Sequence, residues 1–323
     1  MKSREGLILL AASIAMVAFT GTAPAQGVRK VASISTHAKI RDVSACGTTG
    51  LVAAISHDGS VEIWRLPSGE SVASWKTGAG ATSVACSPDG KRLAIGKRGG
   101  TVQLTDAGGK PARTLVASRA RIEDVMYSPD GSLLAVRVDA EPAQLWNPIT
   151  GSRVAELETN FSGSTGMAFS PDSSSFATSN GDTTVRIYDR TGKVKSKYQG
   201  FVLTPFTIDF LPDGKQVVVA GADSTLTLLD AAGGNVVRKL PKSSDPVFAV
   251  AALPDGHSVM TLDIDAATLK RFTVVLWNLD TNQSHDLSMD GRNLVGYGVI
   301  SNHRPVLFTA DSDSSVTIWE IGY

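Results

Sequence analysis

One pattern returns along this chain at nearly constant spacing: a turn with Asp or Gly, then Ser or Thr, then Val-x-Ile/Leu and an aromatic residue. It stands as Asp58-Gly-Ser-Val-Glu-Ile-Trp64, Ala143-Gln-Leu-Trp146, Thr183-Thr-Val-Arg-Ile-Tyr188, Thr273-Val-Val-Leu-Trp277 and Ser315-Val-Thr-Ile-Trp-Glu-Ile321. With the position of the aromatic residue as marker, filled by Thr and Leu in two units, the places are Trp64, Thr105, Trp146, Tyr188, Leu229, Trp277 and Trp319, at gaps of 41, 41, 42, 41, 48 and 42 residues. A period of this length is one supersecondary unit repeated, and each unit must bury its apolar face against the next.

Turn chemistry divides each unit into four strands, a to d. Pro-Asp-Gly recurs at 88–90, 129–131, 212–214 and 254–256, with Pro171-Asp-Ser173 as a variant; Pro presets φ and Gly accepts a positive one, so each is a tight reversal. Strand a precedes it, as in Ile122 to Tyr127, and strand b follows, as in Leu133-Leu-Ala-Val136 and Val217-Val-Val-Ala220. Such continuous apolar runs suit strands covered on both faces. The seventh unit has a, b and c, but the chain stops at Tyr323 where strand d should follow, while Lys30 to Thr36 is a strand with no unit of its own. The expected fold is therefore all-β, a single seven-bladed β-propeller of antiparallel four-stranded blades over residues 26–323. The amino-terminal strand 30–36 completes blade 7, which removes an open sheet edge. The long gap places an insertion in blade 6, around Asp263 to Arg271.

Residues 1–25 stand outside the repeats. A charged start, an uncharged and largely apolar run from Leu7 to Phe19, and Ala23-Pro-Ala25 read as a bacterial Sec-type signal peptide cleaved after Ala25. The apolar run is short for an uncleaved bilayer span. The expected location is periplasmic or secreted, with no membrane association after cleavage. Charges balance at 31 basic and 31 acidic side chains, which gives no global pull toward nucleic acid. Cys46 and Cys86 fall at matching places in consecutive units; an oxidising compartment permits a bridge, but buried thiols are the expectation, since Cys packs as a small apolar residue.

The Ser-Pro-Asp-Gly turns, the Val-x-Ile/Leu-Trp strands and the period together resemble the WD40-repeat family over essentially the whole repeat region. The family's Trp-Asp dipeptide never occurs intact: Trp is followed by Arg65, Asn147, Asn278 or Glu320, and Asp106, Asp189 and Asp230 follow Thr105, Tyr188 and Leu229. The resemblance also implies a structural network of His, a strand-b hydroxyl, a turn Asp and the Trp. Its remnants here are His37, Asp58 and Trp64 in blade 1, Thr178, Asp182 and Tyr188 in blade 4, and Thr309, Asp313 and Trp319 in blade 7, with Trp146 and Trp277 as further strand-c markers. What it implies about function is a non-enzymatic platform for protein partners.

Catalytic motifs are missing from the sequence: there is no G-x-S-x-G, H-E-x-x-H or paired C-x-x-C. No catalytic, cofactor or metal residues are assigned, and the chain is expected to be a monomer without cofactor. The competing reading, an enzyme in the central channel, would need polar side chains converging from several inner strands, where only Asp42, Glu123 and Asp124 stand out. Connections that share one rim carry Lys39, Arg41, Lys97, Arg98, Arg119, Arg121 and Arg137 on blades 1 to 3. On blades 4 to 7 they carry Asp182, Asp223, Asp263, Asp265, Asp311 and Asp313. The basic sector is the candidate site for a partner with an acidic surface.

Overall fold

The computed structural model describes residues 27–36, 38–47, 49–66, 68–158, 163–265, 272–287, 294–300, 306–311 and 315–322. The leader expected over residues 1–25, together with His37 and Asp313, lies outside them. Strand β1 (Gly27–Ser35) comes first and is followed by six complete antiparallel sheets. Blade 1 is β2 (Ile40–Ala45), β3 (Leu51–Ser56), β4 (Ser60–Arg65) and β5 (Glu70–Lys76). Blade 2 is β6 (Ala81–Cys86), β7 (Arg92–Lys97), β8 (Thr101–Asp106) and β9 (Pro111–Val116). Blade 3 is β10 (Ile122–Tyr127), β11 (Leu134–Val138), β12 (Gln144–Trp146) and β13 (Arg153–Glu156). Blade 4 is β14 (Ser164–Phe169), β15 (Ser175–Asn180), β16 (Thr184–Asp189) and β17 (Val194–Gln199). Blade 5 is β18 (Pro205–Phe210), β19 (Gln216–Gly221), β20 (Thr225–Asp230) and β21 (Val236–Lys242). Blade 6 is β22 (Val247–Ala252), β23 (Ser258–Ile264), β24 (Phe272–Asn278) and β25 (Ser284–Leu287).

Blade 7 is β26 (Leu294–Ile300), β27 (Val306–Asp311), β28 (Ser315–Gly322) and, as its outer strand, β1. The register runs from Ser35 opposite Ser315 to Gly27 opposite Gly322, so the two ends of the propeller meet in one sheet, as the sequence leads one to expect. The blade 6 insertion falls in the connection from β23 to β24, whose strands pair from Ser258↔Asn278 to Ile264↔Phe272.

Side chains on the second strand of each blade alternate between two neighbours. In β3, Val52 and Ala54 pack in the cluster shared with β1 and β28, whereas Ala53 and Ile55 pack against blade 2. The same alternation gives every blade junction its own apolar cluster, and this is why the second strand can be apolar without interruption. Outer strands face water on one side; β5 and β13 are mostly exposed or half-buried.

The Ser-Pro-Asp-Gly reversals are closed by their own side chains. Ser128 Oγ donates to Asp130 (2.6 Å) and accepts from the Leu133 N–H (2.9 Å), while Gly131 takes φ 70° and donates to the Ser128 carbonyl (2.8 Å). A Cβ at such a φ is strained, which leaves the position to Gly.

The expectation of two buried thiols is corrected. Cys46 and Cys86 are bonded to each other, with Cα atoms 4.8 Å apart. Cys46 follows β2 and Cys86 ends β6, and these inner strands run side by side, bringing matching positions within disulfide range. Both cysteines are also buried in the blade 1–2 cluster.

Candidate functional site

The innermost strands share an irregularity not legible in the sequence. Pairing of β2 with β3 passes from Ile40 straight to Asp42, so Arg41 is an extra residue without a partner. The same shift isolates Thr82, Glu123, Thr165, Phe206 and Phe248 on β6, β10, β14, β18 and β22. These are β-bulges, which bend the strand and re-aim the extra side chain. They lie at the start of the inner strands of blades 1 to 6, on the rim shared with the second-to-third-strand turns, and form an arc around the channel mouth. Two of them reach the following blade: Phe206 stacks on Phe248, with centroids 4.9 Å apart, and Thr165 donates to the Pro205 carbonyl (2.5 Å).

Below this arc, polar side chains join the blades. Asp42 accepts from its own chain at Val43 N–H and from the next blade at Val84 N–H, both at 2.8 Å. Ser44 Oγ accepts from Cys86 N–H (3.0 Å). Blade 5 repeats the arrangement: Thr207 accepts from Val250 N–H (3.1 Å), and Asp209 accepts from Phe210 and Ala252 N–H (2.8 Å each). An inner strand has one edge without a ladder partner, and these acceptors satisfy its N–H groups.

Burial pushes the Asp209 carboxyl up to about 7. Burial likewise lifts Asp124 to about 7, opposed by Arg137, and holds Asp42 well above the carboxylate range, reinforced by Asp124. Asp209, Thr207 and Ser44 escape the sequence reading, although an Asp inside an apolar inner strand is a signal that could have revealed the first.

The basic sector sorts into engaged and disengaged residues. Arg137 is buried and paired with Glu123, and Lys97 donates to the Thr77 carbonyl (2.6 Å) and hydroxyl (2.7 Å). Lys39, Arg98 and Arg119 are exposed. Arg41 is only 6% exposed. Its Nη2 contacts His57 Nδ1 (3.0 Å), while Nε and Nη1 have no acceptor among the described residues; Arg121 Nε is in the same condition. Desolvation lowers the Arg41 pKa, with Arg98 and Arg121 adding to the effect, and desolvation followed by Arg41 lowers that of His57. A neutral His57 can therefore accept from Arg41.

The acidic sector is less charged than its sequence suggests. Asp182 is paired with Arg186 (2.8 Å), a fully buried guanidinium that the sequence reading did not single out. Asp263 accepts from Ser243, and burial raises it to about 6. Asp223 caps the turn at Thr225 N–H (3.1 Å), and the side chains of Asp311 and Asp313 lie outside the described residues.

Among the strand-c markers, Trp64, Trp146, Tyr188, Trp277 and Trp319 are all buried. Trp277 Nε1 donates to Thr261 Oγ1 (3.2 Å), a strand-b hydroxyl. Trp146 Nε1 donates instead to Gln144 (3.0 Å), and Tyr188 to the Glu158 carbonyl (2.6 Å). Asp58 is held by Lys76 and caps Ser60 N–H (2.9 Å). Thr178 is buried in β15 beside the strand that carries Tyr188, whereas His37 and the Thr309 side chain lie outside the described residues. Among the described residues no group of His, Cys, Asp and Glu is arranged to hold a metal ion.

Fold and blade chemistry define the class: a closed β-propeller whose recurring aromatic strand is fixed by junction packing. Two family descriptions match it, the anaphase-promoting complex subunit 4 WD40 domain over residues 43–120 and the WD domain, G-beta repeat over residues 151–189. The first stretch covers most of blades 1 and 2, and the second runs from the end of blade 3 through β16. Protein HIR1 of Kluyveromyces lactis is 29% identical over 171 residues, 44% of this chain and 20% of that protein. An uncharacterized WD repeat-containing protein of Synechocystis sp. is 30% identical over 142 residues, covering 42% of this chain and 40% of its own length. Human apoptotic protease-activating factor 1 is 31% identical over 97 residues, 30% of this chain and 8% of that protein. The match thus spans a minor part of each of these relatives. With the seven four-stranded blades, these likenesses are to the WD40-repeat family, whose descriptions match over residues 43–120 and 151–189. Propellers of this family are generally scaffolds for protein interaction.

Proposed function

We propose that this propeller is an exported, non-enzymatic platform that binds an acidic protein partner through the basic sector of blades 1 to 3. The observation that carries the reading is Arg41: a buried guanidinium beside Arg98 and Arg121, with two nitrogens lacking an acceptor among the described residues. Like charges held together at a rim raise the local potential and favour an anionic counterpart. Export is supported by the leader pattern in residues 1–25 and by the Cys46–Cys86 bond, which suits an oxidising compartment. A channel enzyme would need disengaged carboxylates, whereas Asp42 and Asp209 are already accepting backbone N–H groups from neighbouring blades.

The test is a cross-linking pull-down from periplasmic extract with the mature protein beside a variant carrying Arg98→Glu, Arg119→Glu and Arg121→Glu. A stoichiometric protein partner lost in the variant is the expected result. Equal recovery with both forms removes the basic sector from the interface, and recovery of nothing by either removes the platform reading.

A further inference from the structure

The turns between the third and fourth strands differ in one blade at their tightest point. In blades 1 to 5 the residue in the left-handed conformation is Gly: Gly69, Gly109, Gly151, Gly192 and Gly234, with φ between 70° and 87°. Blade 6 has Asn282 in that place, at φ 58°. Asn enters this region more readily than most side chains, but only Gly does so without steric cost. Such a cost is commonly offset by a side-chain hydrogen bond within the turn. Here the turn is closed by a different residue. Asn278 Oδ1 accepts from Asp280 N–H (3.0 Å), Thr281 N–H (2.9 Å) and Thr281 Oγ1 (3.1 Å), and Asn278 N–H donates to the Gln283 carbonyl (2.9 Å). The Asn282 side chain is exposed and makes no hydrogen bond among the described residues. The same holds for the hydroxyl of Ser284, the exposed first residue of β25. A strained position that the fold does not use points to a function.

The sequence supplies the chemistry. Asn282-Gln-Ser284 is an N-x-S acceptor pattern for N-linked sugar, which has meaning on an exposed loop of an exported chain. One other such stretch occurs, Asn160-Phe-Ser162, and it lies outside the described residues. Both have an acidic residue two places before the Asn, Asp280 and Glu158, although only 31 of the 323 residues are acidic. The two stretches are thus copies of one longer pattern. Resting on the export reading above, we infer that Asn282 is the acceptor of an N-linked glycan. Its amide Nδ2 attacks C1 of an oligosaccharide carried on a polyisoprenyl diphosphate. The N–C1 bond forms, the C1–O bond breaks, the lipid diphosphate leaves with the electron pair, and a base of the transferase takes the amide proton. The Ser284 hydroxyl is the group read beside that amide. Third-to-fourth-strand turns lie on the rim opposite the basic sector, so the glycan leaves the proposed partner surface open.

The full chain is produced in its native host and recovered from the periplasmic fraction. Peptides covering the amino terminus, Asn160 and Asn282 are then read by electron-transfer mass spectrometry. The expected result is a leader-free protein whose Asn282 peptide carries sugar residues. The sugar is lost completely in Asn282→Gly and in Ser284→Ala, and kept in Ser284→Thr. Asn282→Gly installs the residue used by the other blades and relieves the turn, so its loss of sugar is no folding defect. A leader-free protein with bare Asn282, sugar on Ser284 instead, or a Ser284→Ala protein still modified at Asn282 overturns the inference and leaves export standing. A chain that keeps its leader overturns export and this inference together.

Discussion

Breaking the Cys46–Cys86 bond tests the relation between fold and compartment most directly. The two residues are 40 apart in sequence, and a cross-link closing a loop of about that length removes roughly 4 kcal/mol of chain entropy from the unfolded state at 25 °C. Both cysteines are buried in the blade 1–2 cluster, 0% and 5% exposed, so reduction leaves the sulfur atoms packed where they were. Comparing wild type with and without reductant therefore isolates the cross-link from the packing. Urea melts should show the reduced protein less stable by about 3 to 4 kcal/mol, a large fraction of what a folded domain has. Cys46→Ala with Cys86→Ala should lose more than reduction does, because the two sulfurs are then missing from a close-packed junction. Coincident melts within 1 kcal/mol, or two thiols titrating in denaturant without reductant, would refute the bond and weaken the case for an oxidising compartment.

The structure supports two further measurements. Trp277→Phe leaves Thr261 Oγ1 without its indole donor inside blade 6 and should cost about 1 to 2 kcal/mol; a double-mutant cycle with Thr261→Val should then show a coupling near 1 kcal/mol, and zero coupling would deny the bond. Stability should also fall as pH rises from about 4 toward 7. Burial raises Asp124 and Asp209 to about 7 in the folded protein, so the native state holds protons that the unfolded chain has already released. Their contribution is complete below the unfolded pKa and lost as pH passes the folded one, at no more than about 1.4 kcal/mol per pH unit per group. Asp58 acts in the opposite sense: the Lys76 hydrogen bond lowers it to about 2, so its contribution is lost only in stronger acid and leaves the upper window clear. A melting temperature that climbs between pH 4 and 7, or an Asp209→Asn variant with the full wild-type slope, would contradict the assignment.

The period and the turns made the propeller legible, because every blade repeats the same local problem. Ser-Pro-Asp-Gly closes on its own side chains, and the apolar second strand follows from packing on both faces; both are local to a stretch of sequence. Even the terminal closure is legible, since a unit short of one strand and a strand short of a unit imply each other. The disulfide was not, because matching places 40 residues apart put the two cysteines on adjacent inner strands without fixing whether their sulfur atoms meet. The rim was legible only as composition. Lys97, Arg137, Asp182 and Asp263 read as surface charges in sequence, yet each is engaged by a neighbour brought in by the fold. The Phe206–Phe248 stack joins residues of two blades and could not be read from either alone.

Why side chains at this end of the inner strands can differ without endangering the ring follows from the bulge itself. The position just before it pairs in register and is buried in every described case: Ile40, Ala81, Ile122, Ser164, Pro205 and Val247. Just after it, Asp42 and Thr207 join their strand to the next blade, as Ser44 and Asp209 do two residues deeper. A change at those places alters a ladder or a junction, and its cost falls on the fold. The bulge residue has no cross-strand partner, so its side chain is released from the ladder's demands. Arg41, Thr82, Glu123, Thr165, Phe206 and Phe248 accordingly differ in charge, size and polarity within one chain. The stable tier and the variable tier are adjacent residues of the same strand, which holds the variable side chains on a rigid base at the mouth of the channel.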